Sequence, residues 1–278
     1  MLGYLIAFGH GADVVANGDD DNVPKDGWAF PPFHGDFDTT AQGAGFVNAY
    51  AFFTEQFIWP RGLPLAGLLH GPGPRRADLS RQRSSIGIWQ GLADGDPDVD
   101  AVYRRVVGRP CKFDDGPPIV FGAGTATPLN SQNTAFRREI FALMYLPAHV
   151  TFRYTDILRG LVAQPILWAA GYRVGVTGAT VIQDRNPHDL QADFESEVPM
   201  YLTGHRVIAL CEAAIVPGAS VEENLRRGSV THSSCGAGLA RGFGGRTRVT
   251  PGGPIVPKLR EPGPDQKVAR WASGLFRG

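Results

Sequence analysis

The motif GDDDN at 18–22 is the densest group of chemically active side chains in the 278-residue chain. It directly follows residues 13–17, whose Val14, Val15 and Ala16 predict a short strand. Carboxylates at alternate positions of an extended backbone point to one side, so Asp19 and Asp21 can share a cation. Hard divalent ions such as Mg²⁺ or Mn²⁺ take carboxylate oxygen and leave positions open for substrate phosphates, so this spacing at a strand end suits a nucleoside diphosphate. An acidic surface turn, or a calcium loop running on to Asp26 and Gly27, accounts for the same three aspartates.

Four further clusters compete for a role. DGDPDVD at 94–100 offers a second pair of alternating aspartates, but Gly95 and Pro97 predict a solvated acidic turn; the alternative is that Asp98 and Asp100 anchor Arg104 or line a cleft. PLNSQN at 128–133 places Asn130, Ser131, Gln132 and Asn133 where they can bond sugar hydroxyls or, in the case of Asn133, cap a helix. Asp156 opens the clearest helix, where the helix dipole keeps a carboxylate ionised for general-base work; the alternative is an ion pair with Arg159. QDRNPH at 183–188 sets His188 beside Arg185 in a first helical turn. There it is a surface residue, or the nitrogen ligand that completes an O,O,N site with the aspartates.

The elements that must hold these groups follow from periodicity. A helix is expected over residues 2–12, extended or irregular chain across the aromatic stretch 47–59, strands over 84–92 and 119–121, and a helix over 133–143. The best helix spans 155–169, kinked at Pro165 and stopped at Gly171. Strands at 172–176 and 180–183 follow, then a helix capped by Asn186 with Pro187 at its first position, and a last helix over 207–215.

Hydrophobic residues make up 43% and charged residues 19%, with Lys+Arg and Asp+Glu equal at 27 each, which excludes a uniformly basic nucleic-acid binder. The balance conceals a split: 226–278 carries ten Lys/Arg against two Asp/Glu, with eleven glycines and five prolines. That stretch predicts a disordered basic tail from 225, after a domain over 1–224. Cys111, Cys211 and Cys235 have no spacing for a zinc ribbon or disulfide framework, and no apolar run reaches the ~20 residues of a membrane span.

Six blocks in order resemble the STELLO-type glycosyltransferase-like family: LGYLIAFGHGADVVANGDDDN (2–22), NAYAFFTEQFIWPRGLPL (48–65), IWQGLADGDPDVDAVYR (88–104), PLNSQNTAF (128–136), DILRGLVAQPILW (156–168) and RNPHDLQADFESEVPMY (185–201). Reversibly glycosylated polypeptides, which are sugar-nucleotide mutases, look like more distant relatives through a similar acidic triplet and Pro-Asp-x-Asp-Ala block. The resemblance implies an α/β fold of the GT-A type, a Rossmann-like mixed sheet flanked by helices. It also implies a strand–helix–strand unit before Leu2, so that the chain is N-terminally incomplete.

The resemblance further implies a metal-dependent transferase that moves a sugar from a nucleotide-sugar donor, a UDP-sugar, to a glycan or protein acceptor in the Golgi. Mn²⁺ or Mg²⁺ would sit on Asp19 and Asp21, with His188 as a late contact. Asp20, Asn22, Asn130, Ser131, Gln132, Asn133, Arg159 and Arg185 would bind substrate, and Asp156 would be the base of an inverting reaction. A non-catalytic scaffold or carbohydrate-binding protein and a sugar-nucleotide mutase are the alternatives.

Overall fold

The computed structural model describes residues 2–69 and 73–228, all within one unit, Met1–Thr231; the second unit, His232–Gly278, lies outside the described residues. The chain opens with helix α1 (Leu2–Gly9), none of whose residues is fully buried, and passes through a left-handed Gly11 into strand β1 (Val14–Gly18). Strands β2 (Asn22–Pro24) and β3 (His34–Thr39) follow, then the short β4 (Gly45–Phe46). The long β5 (Ser80–Gly95) is the centre of the sheet. Its Ile86, Ile88, Trp89, Leu92 and Ala93 are buried without alternation, the pattern of a strand covered on both faces.

Helix α2 (Ala101–Val106), β6 (Ile119–Phe121), β7 (Thr125–Ala126), β8 (Asn133–Arg137), α3 (Phe152–Ala169), β9 (Arg173–Gln183) and α4 (Leu190–Ala214) complete the order. The main sheet has seven strands of mixed direction. β8 runs antiparallel between β1 and β5, β5 runs parallel to β9, and β2 lies antiparallel on β9. The C-terminal ends of β1, β5 and β9 therefore share an edge with the start of β8. Helices α3 and α4 flank the sheet, giving the Rossmann-type, GT-A-like arrangement.

Tertiary pairing overrode several local signals. Residues 133–143 form β8 and a 3₁₀ segment (Arg138–Met144), not a helix; β8 is pinned by ladders on both sides, and Asn133 bonds Thr180 at 2.7 Å instead of capping. The two strands expected between 172 and 183 are one bulged strand, β9, following the length of β5. The helices expected after Asn186 and at 207–215 are one helix of 25 residues, α4, which contains Pro199 and is capped by Asp189 through the Gln191 and Ala192 amides. The stretch 47–59 is irregular, with one 3₁₀ turn (Ala49–Phe52), but its Tyr50, Phe52, Phe53, Ile58 and Trp59 are part of the core. A helical segment over 221–228 carries order past the boundary expected at 224; the remaining tail, 229–278, lies outside the described residues.

Candidate functional site at the sheet edge

The edge where β1, β5 and β9 end is where open α/β sheets place ligands, because loops fan out there from a fixed scaffold. Turn residues Asp19 and Asp20 leave β1, with the Asp19 amide bonded to the Gln132 carbonyl at 3.1 Å. Asp19 is exposed. Its carboxyl is pushed up to about 6 by the protein packed around it, and then by the negative charges of Asp98, Asp156 and Asp21. Asp19 therefore feels the charge of three other acids, two of which, Asp98 and Asp156, are held by Arg61. The Asp19 carboxylate takes no hydrogen bond from a described residue. Asp21 is steadied by Gln183 Nε2 at 2.7 Å and lies 3.5 Å from the Asn186 amide.

Arg61 makes this crowding possible. Its Nε and Nη2 each donate to Asp98 at 2.8 Å, and its Nη1 and Nη2 reach Asp156 at 3.2 and 3.1 Å. Arg61 is 6% exposed; burial opposes its charge, and Asp156 and Asp98 together more than offset that. Burial likewise opposes the charge of Asp98, but Arg61 dominates and draws its carboxyl down to about 2. Sequence reasoning gave Arg61 no role. The available signal was a lone cation in the apolar run FIWPRGLPL, since a charge placed among buried residues must be paired.

The second acidic cluster is not a solvated turn. Asp94 holds Lys25 and the Phe113 amide, Asp96 pairs with Arg104, and Asp100, fully buried, accepts from Trp59 Nε1 at 2.7 Å and from the Tyr103 amide at 2.8 Å as the cap of α2. Burial pushes the Asp100 carboxyl up to about 6.

Asp156 lies in the second turn of α3, because the helix begins at Phe152, three residues before the expected start. The dipole argument for its ionisation lapses there, since that effect fades beyond the first turn. Its partner is Arg61, not Arg159. Both Arg61 contacts, the Ser131 amide at 3.1 Å and the Ile157 amide at 2.9 Å use all four of its acceptor sites.

The loop before β8 turns its polar groups inward. Asn130 pairs with Gln90 and accepts from the Gln132 amide, Gln132 bonds Gln183, and Asn133 bonds Thr180 and Trp28, all three amides being buried. They fix the loop. Arg159, 3% exposed, donates to Ser131 Oγ at 3.0 Å and lies over Phe136, while its Nε and Nη1 have no hydrogen-bond partner. Asn22 donates to the Gln132 carbonyl and leaves a buried Oδ1 unpartnered; Arg185 Nε is likewise without a hydrogen bond, and Asp20 is exposed. His188 sits on Asp193 at 3.1 Å, and among the described residues no three His, Cys, Asp or Glu side chains converge to grip an ion. The O,O,N site expected of Asp19, Asp21 and His188 is thus not assembled, because α4 carries the acid that holds the imidazole.

No family model matches the chain. Among curated proteins, "Probable glycosyltransferase STELLO2" of Arabidopsis thaliana is 29% identical over 208 residues, covering 65% of this chain and 26% of that protein. "Probable glycosyltransferase STELLO1" of the same plant is 27% identical over 205 residues, covering 63% and 25%. The chain is a STELLO-type relative. It spans about a quarter of the length of the curated relatives it matches. Among the described residues, no helix is long and apolar enough to cross a membrane.

Proposed function

We propose that the chain is the donor-binding part of a metal-dependent glycosyltransferase that takes its sugar from a nucleoside diphosphate, with UDP the first nucleotide to test. The observation that carries this reading is the Asp19 carboxylate, exposed and unengaged where β1 ends, two residues from Asp21 and within the electrostatic reach of Asp98 and Asp156. Two carboxylates with open coordination positions fit Mg²⁺ or Mn²⁺, which bind through one or two protein oxygens and complete their shell with water and substrate phosphates. Asp19 and Asp21 would hold the ion, which when bound supplies positive charge to a leaving diphosphate. The Arg159 Nε and Nη1 donors, which have no hydrogen-bond partner, suit the same anion, Arg185 would have to give up its ion pairs with Asp96 and Asp193 to join them, and Asn22 Oδ1 is an acceptor for a ribose or sugar hydroxyl.

The protein's own contribution is preorganisation. Arg61 fixes Asp98 and Asp156, Asp156 fixes the Ser131 amide, and the Gln90–Asn130–Gln132–Gln183 chain fixes Asp21 in turn. With its acceptor sites filled, Asp156 acts as a positioning residue, and it becomes a base only by releasing a bond. The test is a calorimetric titration of the full chain with UDP, with and without Mn²⁺. Saturable binding that requires the ion supports a transferase. Binding of a free oligosaccharide but not of UDP under either condition would favour the carbohydrate-binding alternative, and isomerisation of a UDP-sugar without acceptor would favour a mutase.

A further inference from the structure

At the opposite end of β5 from the acidic edge, a cavity of about 370 Å³ is lined by His34, Arg83, Ser84, Ser85, Gly171 and Arg173. Ser84 and Asp94 are ten residues apart on one strand, so roughly 30 Å separates this cavity from the carboxylates at about 3.3 Å per residue. We propose that the cavity is a second ligand site, for a small phosphomonoester.

Its lining presents donors and positive charge. Arg83 and Arg173 have no carboxylate partner among the described residues. Burial holds Arg173 below the ordinary arginine value, and no acid acts against that. An oxyanion placed there would restore what burial removes.

The hydroxyl of Ser85 is oriented by a relay. Arg137 has only donors, so at 3.1 Å it donates to His34 Nε2; the ring proton is then on Nδ1, which donates to Ser85 Oγ at 3.0 Å. Ser85 accepts, and its own proton is free to donate. Arg137 is itself clamped by Glu139 at 2.7 and 2.6 Å and stacks 4.9 Å from the Tyr172 ring centroid, so the relay starts from a fixed point. The acids near this end include Glu139, Asp38 and Asp13, already paired with Arg137, Arg81 and Arg138, and Asp36, opposite Arg83 in the β3–β5 ladder with no ion pair to it; none of them lines the cavity. Its volume lies within the range of small-molecule sites, with room for a sugar-sized group beyond the phosphate.

The experiment is calorimetry on the full chain in EDTA, so that no divalent ion is available to the Asp19 edge, with ribose 5-phosphate, inorganic phosphate and uncharged ribose as probes. Ribose 5-phosphate should bind saturably and more tightly than inorganic phosphate, and ribose should not bind. Arg83→Gln and Arg173→Gln should each weaken ribose 5-phosphate on the order of tenfold. Arg83 is exposed, so its replacement is the variant least able to disturb the fold, and unchanged circular dichroism checks this. Asp19→Asn/Asp21→Asn should leave this binding intact, which separates the site from the proposed donor site. Absence of ribose 5-phosphate binding, equal binding of ribose, or binding indifferent to Arg83→Gln overturns the proposal.

Discussion

Replacing Arg61 with Met leaves Asp98 and Asp156 facing each other without the cation between them. Breaking a buried ion pair by removing one partner costs about 3–5 kcal/mol, because the remaining charge has neither water nor a counterion. Urea denaturation at neutral pH should show a loss of that size for Arg61→Met, and a loss below about 1 kcal/mol would mean that Asp98 finds hydration. The pH dependence has a definite sign. Asp98 has its carboxyl drawn down to about 2 when folded, so the stability it contributes is complete above the ordinary carboxylate value and is lost as pH falls through 2. Wild-type stability should therefore decline between about pH 4 and pH 2 with a component that Arg61→Met lacks. Asp100 behaves oppositely. Its folded form keeps a proton up to about pH 6, so its effect on stability becomes less favourable as pH rises from the ordinary carboxylate value towards 6. Carboxyl-carbon NMR should find Asp100 titrating near 6, and a midpoint near 4 contradicts the burial assigned to it.

At the scale of elements, Glu197 joins three helices. Fully buried on α4, it accepts from Arg153 of α3 at 2.9 and 2.6 Å, from the Ala101 amide at the start of α2 at 2.8 Å, and from Tyr201 at 2.5 Å. Glu197→Ala should destabilise by about 3–5 kcal/mol, and thermal unfolding should fall accordingly; an unchanged midpoint would show that the helices dock without it. What was legible in the sequence were elements whose own residues decide them. The strand at 14–18 has a β-branched start, and the α3 heptad-like face from Ile157 to Leu167 is apolar on a helical period. What stayed hidden was decided by distant residues. The Asp-Gly-Asp-Pro composition of 94–97 is that of a solvated turn, and nothing local announces Arg61, thirty-seven positions from Asp98 in sequence. Likewise 133–137 is a strand because β1 and β5 take up both its edges. The place of the acidic triplet directly after β1 was legible from residue type and spacing, whereas the partner of Asp156 and the pairing of His188 with Asp193 depend on where α3 and α4 begin.

At the scale of the whole molecule, a mixed sheet sets acids of the loops after β1 and β5 and of α3, as far apart as 19 and 156 in the chain, within electrostatic reach of one another, and leaves the Asp19 carboxylate without a hydrogen bond from a described residue. The central proposal is that Asp19 and Asp21 hold a divalent ion against a diphosphate, and it concerns a chain that spans about a quarter of the length of the curated relatives it matches. Electron paramagnetic resonance of Mn²⁺ reads this most directly, because the sharp signal of the hydrated ion disappears on binding. In the presence of UDP, the full chain should remove that signal at near-stoichiometric ratio, while Asp19→Asn/Asp21→Asn, folded by circular dichroism, should leave it at the level of UDP alone. An undiminished signal with the wild-type chain, or equal loss with both proteins, contradicts the account.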